Sequence, residues 1–120
     1  MRVIWDTEAR AARNQVADYI GSRFGVKRKI TFLQAVRETT KLLCDTPQIG
    51  SIDPLFADRP LTYRSVVIKG LSKMVYRIDG DIIYIAAFWD TRREPKNQIR
   101  KSNHNSPNAN KIPTYTAEWC

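Results

Sequence analysis

Apolar positions change their spacing twice along this chain. Residues 1–5 alternate weakly through Val3, Ile4 and Trp5, which predicts a short first strand. Asp6 or Thr7 can then cap a helix, with Glu8 well placed near its positive end. Ala9, Ala12, Val16, Tyr19, Ile20 and Phe24 recur at helical spacing, and Gly25 stands where a C-terminal stop is expected. A second helix is predicted at about 27–44, with Ile30, Leu33, Val36 and Leu43 as its apolar stripe and Phe32 and Leu42 flanking it. So short a connection folds the two helices back as an antiparallel hairpin.

Residues 45–60 hold three prolines and one glycine and read as a loop. Three strands follow at about 61–69, 72–78 and 81–90, with Asp79-Gly80 as a two-residue hairpin signal between the last two. That turn sets Tyr76 opposite Ile83 and Met74 opposite Ile85, on an apolar face that continues through Ala87 and Trp89. This face is expected to pack on the helix hairpin. The other face holds Lys73, Val75, Arg77, Tyr84 and Phe88. A turn at Gly70-Leu71 adds Arg64, Val66 and Ile68 to it, with Arg64 opposite Arg77. The fold class is therefore α+β: a strand, a helix hairpin and a three-stranded antiparallel meander in one sheet (β-α-α-β-β-β). One domain is expected over residues 1–96. Residues 97–120 form a polar tail, rich in Asn and poor in core-forming residues, to which disorder is assigned as one alternative.

Composition narrows the class of function. The longest apolar run, Ile82 to Trp89, is eight residues, against about 20 for a membrane span. Met1–Asp6 carry no apolar segment of a signal peptide, and Cys44 and Cys120 are too few for a disulfide framework. The expectation is a soluble, cytoplasmic protein without membrane contact. With 20 Lys+Arg against 12 Asp+Glu, the net charge is +8, which suits a phosphate-rich polymer or an acidic protein partner.

Placement of that charge suggests a site. Like charges opposite one another in a sheet destabilise it unless an anion joins them, so Arg64 beside Arg77 reads as anion-binding. Cations interleaved with Tyr84 and Phe88 suit single-stranded nucleic acid, with the alternative that Lys and Arg stems merely cover apolar surface. Arg92-Arg93, at the end of the last strand, can reach an anion from the rim of the same face. Lys27-Arg28-Lys29 reads as a solvated helix start. The single histidine, His104, lies in the polar tail, and one His with two distant Cys makes no metal site. No cofactor motif is present, and neither a metal nor a cofactor is expected.

The order of elements, with Leu43 followed by Pro47 and Gly50, the strand Lys73-Met74-Val75-Tyr76-Arg77-Ile78, and Thr91-Arg92-Arg93-Glu94-Pro95 after the last strand, resembles the RelE/ParE superfamily of bacterial type II toxins over about residues 1–95. The resemblance implies a toxin neutralised by a cognate antitoxin, expected to be acidic. RelE-like members cut mRNA in the ribosomal A site; ParE-like members bind DNA gyrase and are not nucleases. For the first type, the resemblance implies catalytic Arg64, Lys73 and Arg93, and the cationic-aromatic face and its rim add Arg77, Tyr84 and Arg92 as substrate-binding residues. Val66 stands in place of a second lysine and Ile99 in place of the stacking tyrosine. The reading is a metal-independent, ribosome-dependent endoribonuclease; the alternatives are a gyrase inhibitor and a degenerate, non-toxic homologue.

Overall fold

The computed structural model describes residues 1–69, 71–91 and 118–119. Strand β1 (Arg2–Trp5) leads into helices α1 (Thr7–Phe24) and α2 (Val26–Asp45). Then come β2 (Ser51–Ile52), a 3₁₀ turn at Pro54–Phe56, and strands β3 (Arg64–Ile68), β4 (Ser72–Asp79) and β5 (Ile82–Asp90). A last strand, β6 (Glu118–Trp119), completes one sheet ordered β2-β3-β4-β5-β1-β6. β1 runs parallel to β5; the other pairs are antiparallel. Apart from β6, the tail lies outside the described residues. The α+β order expected from the sequence is present, and the segment 45–60 additionally contributes β2 and the 3₁₀ turn.

Local chemistry explains the helix ends. Asp6 caps α1, its Oδ2 accepting from the Glu8 N–H at 3.1 Å. Gly25, at φ 99°, turns the chain between α1 and α2 where a side chain would be strained. The buried stripe of α2 is Phe32, Val36, Thr40 and Leu43, so Phe32 belongs to the core and Ile30, half exposed, does not. The expected stripe was rotated by part of a turn. In α1, Ala9 and Ala17 are buried, whereas Tyr19 and Phe24 remain exposed.

Two odd steps in register decide which side chains share a face. Ile68 pairs with Ser72, leaving a three-residue loop at 69–71 in place of a two-residue turn, and Arg64 lies opposite Tyr76 rather than Arg77. A one-residue slip moves every side chain to the other face. Arg64, Val66 and Ile68 therefore join the helix side. At the β4–β5 hairpin, Asp79 pairs with Ile82, so Gly80-Asp81 is the turn, with Gly80 at φ 57°. That correction moves each pairing sum by two and leaves the faces intact: Tyr76 meets Ile85, and Arg77 meets Tyr84.

Further along, the register shifts between Val75 and Tyr76, and Ala86 is skipped. Beyond this bulge Phe88 faces Met74 and Trp89 faces Lys73. The assignments of Phe88, Ala87 and Trp89 made from strict alternation are thus reversed. The helix-side core contains Val3, Trp5, Phe32, Val36, Leu43, Ile68, Met74, Tyr76, Ile83, Ile85 and Phe88. A second core on the opposite face joins Phe56, Val75, Ala87 and Trp89, with Tyr63 packed against it.

Tyr76 fastens the segment after α2 to the sheet. Its hydroxyl donates to Pro47 O at 2.6 Å and accepts from the Gly50 N–H at 3.0 Å. A Cβ on Gly50 would lie 2.7 Å from that hydroxyl and 2.8 Å from Ser65 O, so the approach requires glycine. Burial raises the Tyr76 pKa above 10.0, against smaller lowering effects from the Gly50 hydrogen bond and Arg64. Tyr76→Phe is expected to lower stability by about 1–3 kcal/mol in urea unfolding at neutral pH, because the Gly50 N–H loses its acceptor. The folded chain holds the phenolic proton more tightly than the unfolded chain. Its stabilisation is therefore complete below pH 10 and lost as pH rises through the folded pKa. Wild-type stability should fall more steeply above pH 10 than that of Tyr76→Phe; equal slopes would contradict the assignment.

Candidate functional site

The second face of the sheet is covered, near its centre, by the segment between β2 and β3. Asp53 begins that segment as a cap: its Oδ1 accepts from the Leu55 N–H at 2.8 Å, just before Pro54 sets the 3₁₀ turn. Its other oxygen, Oδ2, lies 2.6 Å from Lys73 Nζ. Asp53 is fully buried, and the Lys73 side chain is 19% exposed. The ammonium also sits 5.5 Å from the Trp89 ring centroid. Lys73 is thus held between a buried carboxylate and an indole.

Arg77 stands four residues further along β4, roughly 13 Å away. Its guanidinium is 4.1 Å from the Tyr84 ring centroid and 5.9 Å from that of Tyr63. Nε donates to Asp79 Oδ2 at 3.0 Å, and Nη1 lies 3.4 Å from the Tyr63 hydroxyl. Tyr84 in turn donates to Asp6 Oδ1 at 3.0 Å, which ties this face to the start of α1. The expected neighbourhood of Arg77 and Tyr84 is present.

Arg64 belongs to the helix side by register, contrary to the expected single cationic face. Its Nη1 donates to Gly50 O at 2.8 Å, beside the Tyr76 hydroxyl. Near the edge of the sheet, its side chain and that of Arg77 both reach one open cleft of about 410 Å³, with Gln48, Pro60, Leu61 and Thr62 around it. Lys73 does not line this cleft. Arg92, Arg93, Ile99, His104 and Tyr115 lie outside the described residues. β5 runs as far as Asp90, and Thr91 is anchored by its N–H to Leu71 O at 2.8 Å.

Asp53 and Tyr63 were not singled out from the sequence. Asp53-Pro54 carries a local capping signal, but the distant lysine that pairs with it is visible only once the segment folds over the sheet. Among the described residues, no group of His, Cys, Asp and Glu could hold a metal ion. No helix of the described residues is long and apolar enough to cross a membrane.

On the helix side, a groove of about 440 Å³ runs between the hairpin and the β3–β4 loop. Val16, Tyr19, Ile20, Phe24 and Leu71 are among its walls, and Tyr19, Phe24 and Leu71 are each about half exposed. Apolar groups of this size left open to water favour contact with another surface.

The model of the family described as "ParE toxin of type II toxin-antitoxin system, parDE" matches residues 3–95. Among solved structures, the chain is similar to one from the "Chromosomal ParDE TA system from P. aeruginosa", with 20% identity and a TM-score of 0.61. That match covers 75% of this chain and 95% of the other. No curated protein sequence matches.

The geometry of Lys73 has a thermodynamic consequence. Lys73→Met leaves the Asp53 carboxylate buried and unpaired, and is expected to cost about 3–5 kcal/mol in urea unfolding. Combining it with Asp53→Asn, which keeps the cap, should recover most of that loss. Single and double variants of wild-type stability would show that the pair contributes nothing to the fold.

Proposed function

We propose that this chain, which belongs to the ParE toxin family of type II toxin-antitoxin systems, arrests growth by binding a protein target, DNA gyrase, without cutting RNA. The observation that carries this reading is the Lys73–Asp53 ion pair. A nuclease that lacks a histidine pair needs cations free to orient the attacking ribose hydroxyl, stabilise charge on phosphorus and protonate the leaving oxygen. Lys73 is engaged by a buried carboxylate, and Arg64 extends from the other side of the sheet. Arg64 is also a poor general base, because its pKa is so high. The groove beside Tyr19, Phe24 and Leu71 supplies apolar contact area for a protein instead.

Neutralisation by a cognate antitoxin fits the same surface chemistry. A charge of +8 favours an acidic partner and speeds the encounter, while exposed aromatics provide anchors. Both partners place the protein in the cytoplasm.

One observation favours the nuclease reading as a second possibility. Arg64 and Arg77 share a cleft, and a phosphodiester there would relieve the repulsion between them. In that reading Arg64, Lys73 and Arg93 are catalytic, and Arg77, Tyr84 and Arg92 bind mRNA on the ribosome.

Purified protein separates the two. Supercoiling by gyrase is expected to fall with added toxin and to recover when antitoxin is added, while mRNA on translating ribosomes stays intact. Toxin-dependent mRNA cleavage with unaffected supercoiling would overturn the proposal. Arg64→Ala provides a second comparison. Gyrase inhibition should persist in the folded variant, whereas a catalytic Arg64 would make activity fall by about 100-fold or more.

A further inference from the structure

A smaller pocket, of about 250 Å³, lies between the helix hairpin and the end of β1. It is walled by Trp5, Arg13, Leu33, Val36, Arg37 and Thr40, and no acidic residue is among these six. Trp5 is 2% exposed, and its buried Nε1 has no hydrogen-bond partner among the described residues. Buried N–H groups nearly always find an acceptor, so this donor is out of keeping with a closed apolar core. The Arg13 guanidinium lies 4.7 Å from the Trp5 ring centroid, and its Nε and Nη2 donate to Asn14 Oδ1 at 3.1 and 3.0 Å. Arg37, on the exposed side of α2, is a second arginine in the lining.

Two arginines, an indole donor and an apolar wall select a specific kind of guest. The volume suits one side chain and is smaller than the clefts that enclose whole cofactors. Leu33 and Val36 offer contact to a short aliphatic stem, while the arginines favour a negative charge at its end.

We propose that this pocket receives the carboxylate of a glutamate or aspartate side chain presented by an acidic partner segment. Arg37 supplies the principal charge, Arg13 holds the indole in place by stacking, and the Trp5 N–H gains an acceptor as the pocket adjusts to its guest. The source of the side chain rests on the reading of the protein as an antitoxin-bound toxin; the affinity of the pocket for a carboxylate does not.

The test uses the full chain labelled with ¹⁵N and follows the Trp5 indole resonance. The probes are N-acetyl-glutamate-N-methylamide, its uncharged glutamine counterpart, and inorganic phosphate, at matched ionic strength. The glutamate probe should shift the resonance saturably, and the other two should not. Arg37→Gln, on an exposed helix face and so compatible with folding, should weaken the response about tenfold or more. A resonance that ignores the glutamate probe, follows the glutamine probe or phosphate equally, or responds undiminished in Arg37→Gln would overturn the proposal. Carboxylate binding by a chain that no antitoxin neutralises would retain the pocket and remove the assigned source.

Discussion

One extra residue in β5 determines how the sheet uses its two sides. Between the Tyr76–Ile85 and Val75–Ala87 pairs, Ala86 is passed over, and the alternation of the strand inverts from there on. Before the bulge, Ile83 and Ile85 face the helices; after it, Phe88 does. Trp89 and Ala87 are thereby delivered to the opposite side, where they cluster with their neighbour Val75 and with Phe56 of the covering segment. Without this inversion, Ala86 and Phe88 would take the places of Ala87 and Trp89 beneath the segment from Asp53 to Tyr63. The bulge thus decides which aromatic side chain serves each of the two cores, Phe88 on the helix side and Trp89 on the other.

The second core changes the meaning of the basic residues. A lysine on an open sheet face would be available to an anion, but Lys73 lies beneath a folded segment, against Trp89 and beside a carboxylate with no exposure to water. Burying a pair of charges contributes little net stability, yet removing one partner is costly. The pair therefore favours one placement of the covering segment. Tyr76 does the same on the other side, joining Pro47 and Gly50 to β4 through its hydroxyl. The two β4 side chains, three residues apart, fasten successive parts of the connection between α2 and β3. Arg64 is drawn into that arrangement through Gly50 O. Among the described residues, apolar surface beside the hairpin and a cleft at the sheet edge stay open.

Much of this fold was legible in local sequence signals. Asp6 as a cap, Gly25 as a stop and the two helical spacings all lead to the observed hairpin because each depends on neighbours a few residues away. The meander was legible for the same reason, as strands bounded by turn residues. Register was not. The choice between Asp79-Gly80 and Gly80-Asp81, or between two and three residues at the β3–β4 loop, depends on packing across the whole sheet. The second of these choices moved Arg64 to the helix side. A bulge within the run Ile82 to Trp89 carries little signature, since every residue there is apolar and either phase looks acceptable. At the candidate site, the shared face of Arg77 and Tyr84 was legible because both lie on the near side of the bulge, although their direct pairing was not. The Lys73–Asp53 pair was not, because it joins residues twenty positions apart across a loop.

The inverted phase can be observed directly in solution. Nuclear Overhauser contacts of the Trp89 indole distinguish the two possible faces, because the aromatic groups on each side are different. The expected pattern joins Trp89 to the Lys73 side chain and the Phe56 ring, and joins Phe88 to Phe32 and Trp5, whose ring centroids each lie 6.1 Å from its own. Contacts from Trp89 to Phe32, with Phe88 instead beside Phe56, would mean that β5 alternates without interruption. Lys73 would then lose its indole neighbour, and the account of how the sheet divides its aromatic side chains between two cores would fail.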